Sequence, residues 1–154
     1  MANIALLAAL PRLLPKAIAW VEGQEQQILA HGRALSVGEL ALARAVQVAR
    51  PELIRLSLVA RLPLPEDPEL QAASLATGLL GPGMAGVTFG HGIYVVSDQV
   101  TPRLLSHECR HVHQYETAGS IAAFLPVYLE QILRVGYGAC PLEVDARNWE
   151  RDRA

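Results

Sequence analysis

Apolar residues along this chain recur at two spacings, and each change of spacing marks a new element. From Leu13 to about Ala30, the residues Leu14, Ile18, Val21, Ile28 and Leu29 return near helical intervals, and Gly32 supplies a stop. SVGELALARAVQVAR predicts a second helix to about Arg50; Ser36 and Glu39 stand in the S-x-x-E relation, in which each side chain satisfies a backbone amide of the first turn. After Pro51 the period shortens. Ile54, Leu56 and Leu58 alternate with Arg55 and Ser57, the pattern of a strand with one solvated face. PLPEDP is a rigid polar turn, and ELQAASLATGLL a short helix stopping near Gly81-Pro82-Gly83. GVTFGHGIYVV reads as two short strands joined by a tight turn at Gly90-His91-Gly92.

Helical spacing then returns. Thr101 can cap a helix whose first position is Pro102, and that helix runs to about Gly119. IAAFLPVYLEQILRVGYG predicts another, ending at Gly136 or Gly138, and Pro141 opens a last one, PLEVDARNWERDR. The expected architecture is one α+β domain over residues 1–154, mostly helical, with a small antiparallel or mixed sheet of about three strands. Within it, 1–35 form an N-terminal helical extension, 36–100 a helix plus the sheet, and 101–154 a group of metal-binding helices.

Composition narrows the function. With 154 residues, 51% hydrophobic and 18% charged, the chain can bury a core without crosslinks. A net charge of -2 without any basic run argues against nucleic acid as a partner. Cys109 and Cys140 form no CxxC pair and read as free thiols of a reduced interior, hence a cytoplasmic protein. The apolar N-terminus MANIALLAALPRLLPKAIAWV raises secretion as the alternative. It lacks a basic leading region and is interrupted by Pro11, Arg12, Pro15 and Lys16, so no transmembrane segment is expected. The expectation is an apolar helix packed on the domain or on a second copy, which would make a homo-oligomer.

The chemistry concentrates in SHECRHVHQY. His107 and His111 are four apart on a helix, so their imidazoles project from one face, where they can hold one zinc ion. Glu108 follows the first histidine, where a carboxylate can take a proton from metal-activated water. A catalytic zinc site needs a third protein ligand. Six residues after His111, where a metzincin has histidine, stands Thr117. Of Glu143, Asp145 and Glu150 farther on, Glu143 lies in the first turn after Pro141 and is the expected ligand, although a first-turn glutamate also serves simply to complement the helix dipole. Asp145 is expected in a supporting or surface role.

The run from GVTFGHGIYVV through LLSHECRHVHQYE to GYGACPLEVDAR resembles the small bacterial gluzincin-like zinc metallopeptidase domains, over roughly residues 85 to 150. In these a glycine-rich strand pair precedes an H-E-x-x-H-x-x-Q helix, and a Pro-x-Glu-x-(Asp/Glu)-Ala helix closes the site. The resemblance implies a zincin-like fold and one Zn2+ per chain held by His107, His111 and Glu143. It also implies Glu108 as general base and acid in hydrolysis of a peptide or protein substrate. Cys109 stands where such domains more often carry leucine, and the first 80 residues carry no family motif.

The remaining polar residues divide by position. Gln114, seven after His107, is placed to support a ligand; Tyr94, Tyr115 and Tyr137 are candidate donors to the oxyanion or contacts to substrate. The edge strand near Thr88 to Tyr94 is expected to take substrate as an added strand. His113 points away from the His107–His111 pair, His91 sits in a turn, and Cys140 reads as an inert buried thiol. Two other readings stay open: a zinc-holding but inactive module that docks a partner, and a metal-free protein that assembles through its N-terminal helix.

Overall fold

Residues 92 to 96, GIYVV, are apolar throughout, and the structure, a computed structural model describing residues 2 to 153, wraps them on both sides. Among those residues lie six α-helices: α1 (Ile4–His31), α2 (Val37–Ala45), α3 (Pro68–Thr77), α4 (Pro102–Ala118), α5 (Ile121–Val135) and α6 (Pro141–Asn148). Four strands, β1 (Arg33–Ala34), β2 (Arg55–Val59), β3 (Gly86–Phe89) and β4 (Gly92–Val96), form one sheet in the order β1-β2-β4-β3. β2 and β4 run parallel, and the outer pairs are antiparallel.

The mostly helical α+β class holds, but the sheet has four strands instead of three. The additional strand, β1, is two residues long and exists only because Arg33 and Ala34 align with Leu56 and Arg55. Nothing in so short a polar piece announces a strand.

Period two sorts β4 between two cores. Ile93 and Val95 face α2 and α4, joining Leu42, Val46, Cys109 and Val112. Tyr94 and Val96 face the other way, toward Ile28 and Val21 of α1 and Phe124 of α5. The sheet is therefore covered by helices on both faces, and Cys109 fills a core position, as a small soft side chain can. β3 pairs on one side only and is the free edge beside α4.

α1 differs from the expectation of a helix beginning at Leu13. It starts at Ile4, capped by Asn3, and continues through Pro11 and Pro15. Both prolines are exposed, so water can serve the carbonyls they leave free, and on the same stretch Arg12 pairs with Glu69 and Lys16 with Asp67 and Glu69 of the α3 region. By length and hydropathy α1 is the one helix among the described residues that is long and apolar enough to cross a membrane; here its Leu13, Val21 and Ile28 are buried in the fold. α2 is shorter than predicted, ending at Ala45. Gln47 adopts φ +76°, and Glu116 of α4 accepts the amides of Ala49 and Arg50 at 2.8 and 3.0 Å, turning the chain toward β2.

The β3–β4 turn is held from α1. Gly90 has φ +67°, and Glu25 accepts the His91 amide at 2.9 Å. Gly92 lies directly under Ile28: a Cβ there would sit 2.9 Å from the Ile28 Cβ. Gly92→Ala should accordingly cost about 1 to 3 kcal/mol by overpacking. Chemical denaturation reads this out, and an unchanged midpoint would mean that α1 does not rest on the sheet.

Candidate metal centre

Three elements converge on one buried point, and each does so for a local reason. α4 is started by Thr101, whose hydroxyl accepts the Leu104 amide, and stopped by Gly119 at φ +101°. Its Leu105, Cys109 and Val112 anchor the core face, which turns His107, Glu108, His111 and Gln114 toward β3, α5 and α6. α6 begins at Pro141, and its first turn is fixed by Gln131 of α5, which accepts the Leu142 amide at 3.1 Å and the Cys140 thiol at 3.3 Å. That fixes where Glu143 lies.

Glu143 is 2% exposed and sits between the two histidines. Its Oε1 is 3.2 Å from His107 Nε2, and its Oε2 is 3.1 Å from His111 Nε2. Ligand atoms of the three residues all lie within 4.8 Å of one another, so this buried group can hold a metal ion. Ligands 2.0–2.1 Å from one tetrahedral centre stand roughly 3.3 Å apart, close to the contacts seen here.

The outer atoms of each ligand are also engaged. His107 Nδ1 is 2.9 Å from Glu150 Oε2, and His111 Nδ1 is 2.7 Å from Gln114 Oε1. A proton on each Nδ1 is donated outward, leaving both Nε2 atoms turned inward, the arrangement that orients imidazole ligands. Gln114 in turn donates to Leu142 O and to Asp145 Oδ2, both at 2.9 Å, and Arg110 pairs with Asp145 at 2.8 Å. Tyr128 donates to Glu143 Oε2 at 2.8 Å. Among the described residues no buried side-chain nitrogen or oxygen lacks a partner.

Glu108, 4% exposed, stands beside this group on the β3 side. Its Oε1 accepts the Thr88 hydroxyl at 2.9 Å, and Gly86 gives it room, since a Cβ there would be 3.2 Å from Glu108 Cγ. A cavity of about 150 Å³ opens from Glu108, His111 and Glu143 toward α1 and α5, with Tyr115, Tyr128 and Tyr137 in its wall.

Sequence reasoning brought His107, Glu108, His111, Glu143, Gln114 and Asp145 to one place, and the structure has them there. Tyr115 and Tyr137 reach the cavity, but Tyr94 does not: it points to the α1 side of the sheet and donates to Gln24 at 2.8 Å. His91 bonds Glu116, and His113 lies 2.8 Å from Gln47 O, both away from the centre. Three contributors were missed in their roles. Glu150 falls beyond the end of α6, and Tyr128 and Thr88 come from elements whose local patterns carry no hint of the site. Comparison with known protein families, curated proteins and solved structures found no match for this chain.

The charges depend on what occupies the centre. Burial disfavours a charged His107, but the hydrogen bond to Glu143, the charges of Glu108 and Glu143 and the bond to Glu150 outweigh it, raising its pKa to about 9. His111 is raised against burial chiefly by Glu143. Burial also works against an ionised Glu143, yet the bonds from His107 and His111 hold it well below the usual carboxylate range. Glu108 moves the other way, raised by burial.

In metal-free protein a raised His107 contributes stability that is complete below about 6.5 and is lost as pH rises through about 9. A metal ion displaces the inner protons and supplies the positive charge itself. The thermal midpoint in chelator should therefore fall between pH 6.5 and 9, whereas protein saturated with zinc should not show this fall. Identical pH profiles with and without metal would contradict the assignment.

Proposed function

We propose that this chain is a zinc-dependent peptidase of gluzincin type, a zincin-like hydrolase holding one Zn2+ through His107, His111 and Glu143. The observation that carries the reading is the convergence of two inward-facing imidazole nitrogens and a carboxylate, with Glu108 alongside and a cavity on its open side. Two nitrogens and one oxygen form a donor set suited to catalytic zinc, which keeps one position free for chemistry. When bound, zinc would supply Lewis acidity, polarising a carbonyl and lowering the pKa of water toward neutrality.

The chain's own residues divide the remaining work. Glu108, held by Thr88, takes the proton from the attacking water and passes it to the leaving amine; its raised pKa suits a group that must both accept and return a proton. β3 offers an unpaired edge beside Glu108, along which an extended peptide can add as a strand. Tyr137 lines the cavity at Glu143 and is the candidate donor to a developing oxyanion, with Tyr115 deeper against Phe124; the single Tyr128 hydroxyl proton is already given to Glu143. Gln114, Asp145 and Glu150 keep the imidazoles oriented.

One observation favours a second reading, that of a catalytically inactive zinc-binding domain acting as a protein-interaction module. His107, His111 and Glu143 are 8%, 6% and 2% exposed, a degree of enclosure that also suits a structural ion.

Activity on a quenched fluorescent peptide library separates the two. The peptidase reading expects cleavage that chelator abolishes and zinc restores, and a fall of about 100-fold or more in Glu108→Gln with zinc content unchanged. No cleavage by fully zinc-loaded protein would favour the inactive module, and undiminished activity in Glu108→Gln would remove Glu108 as the base.

A further inference from the structure

The cavity beside Glu108, His111 and Glu143 has a volume of about 150 Å³. Pockets that take a whole ligand are about 300 to 1,000 Å³, so this one has room for a single apolar side chain but not for the backbone of a peptide laid along β3. A peptide can reach Glu108 only if one wall gives way.

Most of the wall is fixed. β3 pairs with β4, and its Thr88 holds Glu108. α4, α5 and α6 are joined through the bonds of Glu143 to His107, His111 and Tyr128. α1 packs along α5 and buries Leu13, Val21 and Ile28. What remains is the crossing from β2 to β3, which closes the cavity with Pro65, Leu70, Ala73, Leu80 and Met84.

This crossing is weakly held. From Glu66 to Ala85 Leu70 is the one buried residue, and Leu75 on the outer side of α3 is 70% exposed. α3 packs chiefly on α1, where Arg12 pairs with Glu69, and Lys16 with Asp67 at 2.9 Å and Glu69 at 3.4 Å. All are exposed pairs, of the kind that hold weakly and are screened by salt. The chain bends at Pro63 and Pro65 before α3; after it Gly78 and Leu80 adopt φ +79° and +64°, followed by Gly81 and Gly83. A segment with so little burial opens at low free energy while the rest of the fold stays closed.

We infer that residues 66–84 form a lid over the metal residues, latched to α1 by Arg12 and Lys16, and that α3 lifts from α1 to admit an extended peptide to β3 and Glu108. What the lid admits rests on the hydrolase reading; the opening itself does not.

Hydrogen exchange of the full chain, followed by mass spectrometry, reads the opening. The hydrogen-bonded amides of α3 should exchange at least about 100-fold faster than those of α4. Arg12→Ala/Lys16→Ala should quicken α3 by about a further fivefold and leave α4 unchanged. Access is read in Arg12→Cys/Glu69→Cys joined by a short bismaleimide, which holds α3 on α1; Cys109 and Cys140 are buried and stay unlabelled. Linking should slow transfer of zinc to excess chelator at least about tenfold relative to the same variant unlinked, and peptide cleavage should fall with it. Circular dichroism establishes folding of each variant. α3 exchange as slow as that of α4, or zinc release equally fast with and without the link, overturns the lid. Zinc-loaded protein whose lid opens but which cleaves no peptide would instead overturn the hydrolase reading, and in protein that holds no zinc the exchange rates alone decide the lid.

Discussion

A carboxylate removed from water is costly unless charge and hydrogen bonds surround it, and Glu143 is both ionised and almost completely enclosed. Two imidazoles from successive turns of α4 and the Tyr128 hydroxyl from α5 meet that requirement. The packing of the C-terminal half follows from it. α6 must approach α4 closely enough to deliver Glu143, and α5 must lie where Tyr128 and Gln131 reach the start of α6.

The supporting bonds extend the same constraint outward. Arg110 and Gln114 on α4 both hold Asp145 of α6, Glu150 holds His107 from just past the helix end, and Trp149 stacks under the Arg110 guanidinium at 4.1 Å. Glu108, on the opposite side, is fixed by Thr88, so the sheet edge is tied to the centre as well. A site held from α4, α5, α6 and β3 has little freedom to rearrange, which suits a metal that demands defined ligand geometry.

What could be read from the sequence was local or periodic. The Ser36–Glu39 capping box, the Thr101-Pro102 start, the glycine turn at 90–92 and the His107–Glu108–His111 spacing each lie within a few residues, where helix and turn geometry decide the outcome. Glu143 was legible because Pro141 fixed its helical position. Tyr128 and Glu150 were not: one is a tyrosine on an ordinary apolar helix, the other one acid among several, and only the folded approach of α5 and α6 gives them partners. β1 exists solely through its pairing with β2, and Pro11 and Pro15 concealed the first turns of α1 because their tolerance depends on facing water. Tyr94 was misplaced because its hydroxyl runs to Gln24 of α1, past the stretch of that helix that walls the cavity.

The most direct measurement is metal content by elemental analysis of purified wild type, His107→Ala and Glu143→Ala after reconstitution with zinc and removal of excess. A shared three-ligand centre predicts about one zinc per chain in wild type and its loss or marked weakening in both variants. No zinc in wild type, or full zinc in Glu143→Ala, would contradict the account and leave the buried carboxylate as an ion pair alone.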